Sequence, residues 1–138
     1  MSIFYILHIN TPLSVNEVEQ LIGTDTISQD ILNIDVYTPS SRSMDIFASA
    51  FPFRANLRIS YNLIPGNHGQ SIRTMITTVV QLLTYDQSDL VLLYNGDVTS
   101  LQRIQSTLIL NERGFWNPDY RALVPLPYTI ELLPLPFD

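Results

Sequence analysis

The sequence predicts an α+β protein in which a mixed or antiparallel sheet carries two main helices on one face. Three observations predict this class. Apolar and polar residues alternate in several short runs, as in strands that are wet on one side. Two other segments carry apolar residues at helical spacing. Asn95-Gly96 is a strong hairpin signal, because a type I′ turn needs positive φ at both central residues. The predicted order is β-α-β-β-α-β-β-β.

Composition limits the class of protein further. The 138 residues, 46% of them hydrophobic, fit one globular domain over residues 1–138. Charged residues make up 14%, against roughly 25% in typical soluble domains. Either the surface is rich in uncharged polar residues or a partner covers part of it, and we favour the second. The net charge of −6 disfavours nucleic-acid binding and favours a basic protein partner.

Two features bear on redox chemistry and location. The sequence contains no cysteine, which excludes disulfides, thiolate metal sites and a cysteine nucleophile. No apolar run is long enough to cross a membrane. The first residues lack the basic region of a signal peptide, and their apolar run is broken at His8 and Asn10. We therefore expect a cytoplasmic protein that does not enter a membrane.

The chain begins with a predicted strand and helix. Residues 3–9 are rich in Ile and aromatic residues and are apolar on both faces except at His8, which predicts a strand in the middle of a sheet. Ser14 and Glu17 have the spacing of a capping box, so a helix begins after Ser14. Gly23 can adopt the left-handed conformation that ends this helix.

Two more strands follow, separated by a segment with a weak pattern. Alternation predicts strands over residues 32–37 and 57–63. Between them, Phe47 and Phe51 stand four residues apart and predict only a short helical turn before Pro52.

The second long helix is predicted over residues 70–85. Its inward stripe consists of Ile72, Met75, Ile76, Val79, Leu82 and Leu83. Several Thr and Val residues weaken its intrinsic helix propensity. Burial of one aliphatic side chain contributes about 1.5–3 kcal/mol, so packing outweighs that weakness.

The central hairpin predicts a three-stranded meander over residues 90–111. Gly114 ends the meander. The tail contains several prolines, which remove donors from a strand ladder, so it cannot be a central strand. Residues 128–132 are expected to form an edge strand at most.

Candidate catalytic histidines are few. His8 shares a strand face with Phe4 and Ile6, which favours a hydrogen-bonded packing residue over a catalyst. His68 precedes a helix whose free N–H groups could hold an anion, but no P-loop lysine follows, so an ordinary loop is favoured.

The carboxylates show no catalytic or metal-binding spacing. Asp86, Asp89 and Asp97 lack the pattern of a calcium loop. Glu112 and Asp119 are close in sequence, as carboxylates on a solvated edge usually are. We expect no catalytic residue, no metal and no cofactor, which argues against an enzyme.

Phe115-Trp116 follows Gly114 and permits two interpretations. A buried Trp116 would cover the end of the meander. An exposed Trp116 would be an aromatic anchor for a protein partner.

The most distinctive stretch is Asp89-Leu90-Val91-Leu92-Leu93-Tyr94-Asn95-Gly96-Asp97, followed by Leu101-Gln102-Arg103 and Leu108-Ile109-Leu110-Asn111. It resembles the C-terminal half of the immunity proteins that protect social bacteria from swarm-inhibition (Sit) lipoprotein toxins. The likeness extends to the first strand, the helix near residue 15 and the long helix before the hairpin. Asp97 stands where the resemblance leads us to expect Glu, and Gln105-Ser106 lacks the expected turn glycine.

The resemblance implies a cytoplasmic antidote that binds a cognate bacterial toxin and blocks it by occlusion, without catalysis. A basic, nuclease-like toxin would suit the acidic charge. The expected partner-binding residues are Asp97, Arg103, Glu112 and Trp116, on the solvent side of the meander and the turn after it.

Two other classes remain open. A small ligand-binding or regulatory α+β domain would present a pocket between the two helices. A hydrolase would use scattered carboxylates that sequence spacing does not reveal. The sequence does not identify the toxin or the oligomeric state.

Overall fold

A computed structural model describes residues 3–137. Met1, Ser2 and Asp138, which belong to the predicted domain, lie outside the described residues. In chain order the elements are β1 (Phe4–Ile9), α1 (Val15–Ile22), β2 (Leu32–Tyr37), α2 (Ser41–Ala50), β3 (Leu57–Leu63), α3 (His68–Tyr85), β4 (Leu90–Tyr94), β5 (Val98–Ile104), β6 (Thr107–Asn111), α4 (Pro118–Arg121) and β7 (Thr129–Glu131). A 3-10 turn, Thr24–Thr26, follows α1.

The strands form one seven-stranded sheet in the order β2-β3-β1-β4-β5-β6-β7. Neighbouring strands are antiparallel except β6 and β7, which are parallel. The predicted α+β class with a mixed sheet is confirmed. The predicted order β-α-β-β-α-β-β-β corresponds to β1, α1, β2, β3, α3, β4, β5 and β6. The structure adds the helices α2 and α4 and the strand β7. The strand β7 lies within residues 128–132, which were expected to form an edge strand at most, and it is at an edge of the sheet.

The helices α1 and α3 pack on the same face of the sheet, as predicted. Val18 and Ile22 of α1 are buried in one cluster with Leu7 and Ile59 of the central strands. All six residues of the predicted α3 stripe are buried in that cluster. Thr78 of α3 is also buried, and its hydroxyl lies 2.8 Å from the Tyr61 hydroxyl of β3.

The helix α2 belongs to the opposite face, where the sequence predicted only a short turn. Phe47 and Phe51 form a second buried cluster with Val91 and Leu93 of β4. Phe47 is the one buried residue of α2, so the apolar stripe is too narrow to show as a periodic pattern. The Ser40 side chain accepts a hydrogen bond from the Ser43 N–H and caps the helix.

The central hairpin reverses tightly, as predicted. Asn95 and Gly96 have φ values of 48° and 81°, and the Asp97 N–H donates to the Tyr94 carbonyl at 3.1 Å. The next turn joins β5 to β6 through two residues, 105 and 106, which also have positive φ although neither is glycine. A left-handed conformation costs about 1–2 kcal/mol for such a residue.

Candidate functional site

The structure separates the four predicted partner-binding residues into two groups. Leu101 of β5 pairs with Leu110 of β6, so the end of β6 returns to the central hairpin. Asp97, Glu112 and Trp116 therefore lie toward the same end of the sheet. Asp97 and Glu112 are exposed, whereas Trp116 is half-buried.

Arg103 lies at the other end of β5, where it is only 3% exposed. Its guanidinium donates to the carbonyls of Leu83 at 2.7 Å, Asp86 at 2.8 Å and Ser88 at 3.0 Å. These carbonyls belong to the end of α3 and the loop after it. Burial lowers the pKa of Arg103, and the Asp86 and Asp89 carboxylates oppose that shift. The expectation that Arg103 lies on the solvent side is therefore corrected: three backbone acceptors hold its charge inside.

Trp116 covers a β-bulge in β5. Leu92 pairs with Leu101 but Leu93 pairs with Thr99, which leaves Ser100 as the extra residue. The Trp116 indole N–H donates to the Ser100 carbonyl at 2.7 Å, and its ring packs against the main buried cluster. The interpretation of Trp116 as a cover for the end of the meander is supported. Its use as a partner anchor stays a prediction.

Asn111 connects three segments of this region, a role that sequence reasoning missed. It is 1% exposed, and its side-chain amide donates to the Thr99 carbonyl in the bulge. Its side-chain oxygen accepts from the Arg113 N–H at 3.1 Å and from the Leu133 N–H at 3.2 Å. Asn111 thus joins β5, the turn after β6 and the C-terminal tail. The only sequence signal for Asn111 was its position at the end of the stretch that resembles the Sit immunity proteins.

An apolar cavity of about 270 Å³ opens between α3 and the central hairpin. It is lined mainly by Ile3, Tyr5, Ile72, Tyr94, Val98 and Phe115. Burial raises the pKa of Tyr5, whose ring lies 5.2 Å from the Tyr94 ring. Small-molecule sites usually measure about 300–1,000 Å³. This cavity is smaller than that range and does not lie between the two main helices, where a ligand-binding domain was expected to carry its pocket.

His8 is a buried residue of β1 that faces α2. Its ring stacks on Phe47 with the ring centroids 4.4 Å apart, and its Nδ1 atom has no hydrogen-bond partner among residues 3–137. Burial and the nearby Arg58 charge lower the pKa of His8 to about 3, so the ring is neutral at pH 7. The packing interpretation is supported, without the expected hydrogen bond at Nδ1. His68, the other imidazole, is exposed at the first residue of α3.

Two further findings concern metals and membranes. Within residues 3–137, no cluster of three or more His, Asp or Glu side chains is placed to hold a metal ion. In the same part of the chain, no helix has the length and apolar character needed to cross a membrane.

The fold and this region define a class: an α+β protein whose mixed sheet is tied to its helices and tail by buried polar side chains. Within the class, a family model described as SitI3-like matches residues 3–121, and the chain belongs to that family. The resemblance to the Sit immunity proteins is thereby confirmed. Searches of curated proteins and of solved structures gave no match.

Proposed function

We propose that this chain is a cytoplasmic immunity protein that binds a cognate bacterial toxin and blocks it by occlusion, without catalysis of its own. Membership of the SitI3-like family carries the proposal. The net charge of −6 favours a basic partner, such as a nuclease toxin.

The proposed contact surface lies at the hairpin end of the sheet. It contains the exposed carboxylates of Asp97 and Glu112 and the outer part of Trp116. Among the described residues, the ion pair found joins Arg54 to Asp45, so neither Asp97 nor Glu112 is neutralised by one. Unpaired surface charge raises the association rate of an oppositely charged partner. Arg103 is left out of this surface because its guanidinium is buried.

Charge alone does not give tight binding. Nanomolar affinity corresponds to about −12 kcal/mol, which requires a buried apolar centre in the interface. Trp116 supplies only part of such a centre, because its N–H is already bonded to Ser100 and one side of its ring packs inward.

Co-expression tests the function directly. The probe is the C-terminal domain of the protein encoded by the reading frame next to this gene. We expect its expression to arrest bacterial growth and co-expression of this chain to restore growth. Growth arrest that this chain does not relieve, or a neighbouring domain without toxicity, would contradict the proposal.

Charge reversal tests the surface. In Asp97→Lys/Glu112→Lys, we expect association with the same toxin domain to slow about tenfold at low salt, with less effect at high salt. The matched control is Asp25→Lys/Asp35→Lys, which reverses the same number of exposed carboxylates, one in the 3-10 turn after α1 and one on β2 at the other edge of the sheet. Equal association rates for both variants would remove the hairpin end from the proposed surface.

A further inference from the structure

Exposed large apolar side chains are concentrated in the C-terminal tail. They are Ile130, Leu132, Leu135 and Phe137, with 41%, 56%, 45% and 47% of their surface exposed. Elsewhere in residues 3–137, Ile46 and Tyr85 are comparably exposed. The four tail residues all lie beyond the stretch that matches the family. Ile130 and Leu132 stand two residues apart at the edge of the sheet, whereas the Phe137 ring centroid lies 6.5 Å from that of Phe51 in the second buried cluster. Neighbouring exposed apolar side chains such as Ile130 and Leu132 mark interaction sites more often than isolated ones do.

The tail also contains an open sheet edge. The strand β7 is the last of the sheet, and all three of its residues are exposed. The Glu131 carbonyl accepts from the Glu112 N–H at 2.8 Å, and the Leu133 N–H donates to Asn111, so residues 131 and 133 turn their backbone groups toward β6. Backbone groups alternate in direction along a strand. Ile130 and Leu132 therefore direct theirs outward, where a further strand could pair.

We infer that an extended segment of the toxin adds to β7 as an eighth strand, with Ile130 and Leu132 as the apolar centre of the interface. The inference rests on the proposed function and supplies the apolar centre that Trp116 does not complete. Backbone hydrogen bonds provide affinity in this mode of binding, and alternate side chains provide specificity.

The two negative charges beside β7 favour a partner segment that is basic. Glu112 and Glu131 are exposed next to each other at the ends of two parallel strands, and no ion pair in the described part of the chain involves either. A cationic strand would neutralise them. A second copy of this chain would instead bring like carboxylates together, which is unfavourable across paired strands.

The opposite edge of the sheet lacks this combination. The strand β2 exposes the polar side chains of Asn33 and Asp35, its Leu32 and Val36 are buried, and its Ile34 and Tyr37 are half-buried. A partner strand there would gain backbone hydrogen bonds but a smaller apolar contact than at β7, where Ile130 and Leu132 are both exposed.

A proline at residue 132 tests the pairing, with the toxin domain from the neighbouring reading frame as the probe. Leu132→Pro removes an outward N–H, which edge strands tolerate, and leaves the bonds to β6 in place. We expect the affinity for the toxin domain to fall at least about tenfold, and Leu132→Ala, which keeps the N–H, to lose less. Ile46→Ala, an exposed apolar residue of α2, is the matched control and should bind as the unaltered chain does.

Hydrogen exchange on the unaltered chain gives a second readout that does not depend on a variant folding. We expect exchange of the Ile130 and Leu132 amides to slow at least about tenfold in the complex. Unchanged exchange at both amides, with the toxin bound, would overturn the inference and leave the proposed function standing.

Two other results would redirect the assignment. A dimer of this chain alone, seen by light scattering and lost in Leu132→Pro, would assign the edge to a second copy and overturn the inference. Failure of the unaltered chain to bind the toxin domain would overturn the proposed function itself.

Discussion

Replacement of Arg103 should destabilise the protein strongly, because its guanidinium holds the end of α3 to the sheet. In Arg103→Met the side chain keeps most of its length and loses every donor. The Leu83 carbonyl then lies buried without its partner, which costs about 1–3 kcal/mol. The carbonyls of Asp86 and Ser88 are partly buried and regain water, so we count about 1 kcal/mol for each.

The total expected loss is about 4 kcal/mol of unfolding free energy, a large part of the 5–15 kcal/mol typical of a domain. Urea unfolding followed by circular dichroism measures this quantity. Arg103→Lys should lose about half as much, since one ammonium group cannot reach three separated carbonyls as a planar guanidinium does. Arg42→Met, at an exposed position of α2, is the control and should change stability by less than about 0.5 kcal/mol.

The reasoning would be refuted if Arg103→Met lost less than about 1 kcal/mol, or if Lys replaced Arg without loss. The Lys variant also separates structure from binding. Because Arg103 is buried, a folded Arg103→Lys protein should associate with the toxin at the unaltered rate.

Three further predictions concern single residues. The folded pKa of His8, about 3, lies below its ordinary 6.5, so the unfolded state takes up the proton first and stability is lost as pH falls below 6.5. Urea unfolding should give an unfolding free energy about 2 kcal/mol lower at pH 5 than at pH 7 because of this group. His8→Gln should abolish this difference between the two pH values, and His68→Gln should leave it unchanged. Ser106→Gly should raise stability by about 0.5–1 kcal/mol in the same assay, because glycine relieves the positive φ of 69°, and a decrease would contradict the strain. Ser14→Ala should cost about 1 kcal/mol through loss of the α1 cap, and no change would mean that the cap contributes nothing.

The sequence predicts well the elements whose determinants lie within a few residues. Both hydrogen bonds of the capping box are present: the Ser14 N–H donates to the Glu17 carboxylate, and the Glu17 N–H donates to the Ser14 hydroxyl. Asn95 and Gly96 specify their own turn in the same way. Such signals need no knowledge of the rest of the fold.

Sequence reasoning fails where the determinant lies far along the chain. The helix α2 rests on Phe47, whose stacking partner is His8 of β1, so its pattern is incomplete without the sheet. The parallel pairing of β7 with β6 depends on a crossover through α4, and three residues carry no signal of direction.

The candidate site shows the same limit. Arg103 of the meander and Glu112, the first residue after it, are both charged, yet Arg103 is buried and Glu112 is exposed. The difference arises because α3 ends beside β5 and offers its last carbonyls to Arg103. Sequence spacing does not contain that contact. Two residues of the stretch that carries the family resemblance, Arg103 and Asn111, thus maintain the fold.

The attachment of β7 has a consequence for how recognition could diversify. The strand is short, lies at the edge and is joined to the rest through β6 and the Asn111 amide, while Ile130 and Leu132 contribute no side chain to either buried cluster. Mutations at residues 130 and 132 can therefore accumulate with little loss of folding free energy. If β7 pairs with the toxin as inferred above, a lineage could change its toxin specificity by substitutions in this short strand while the rest of the fold stays the same.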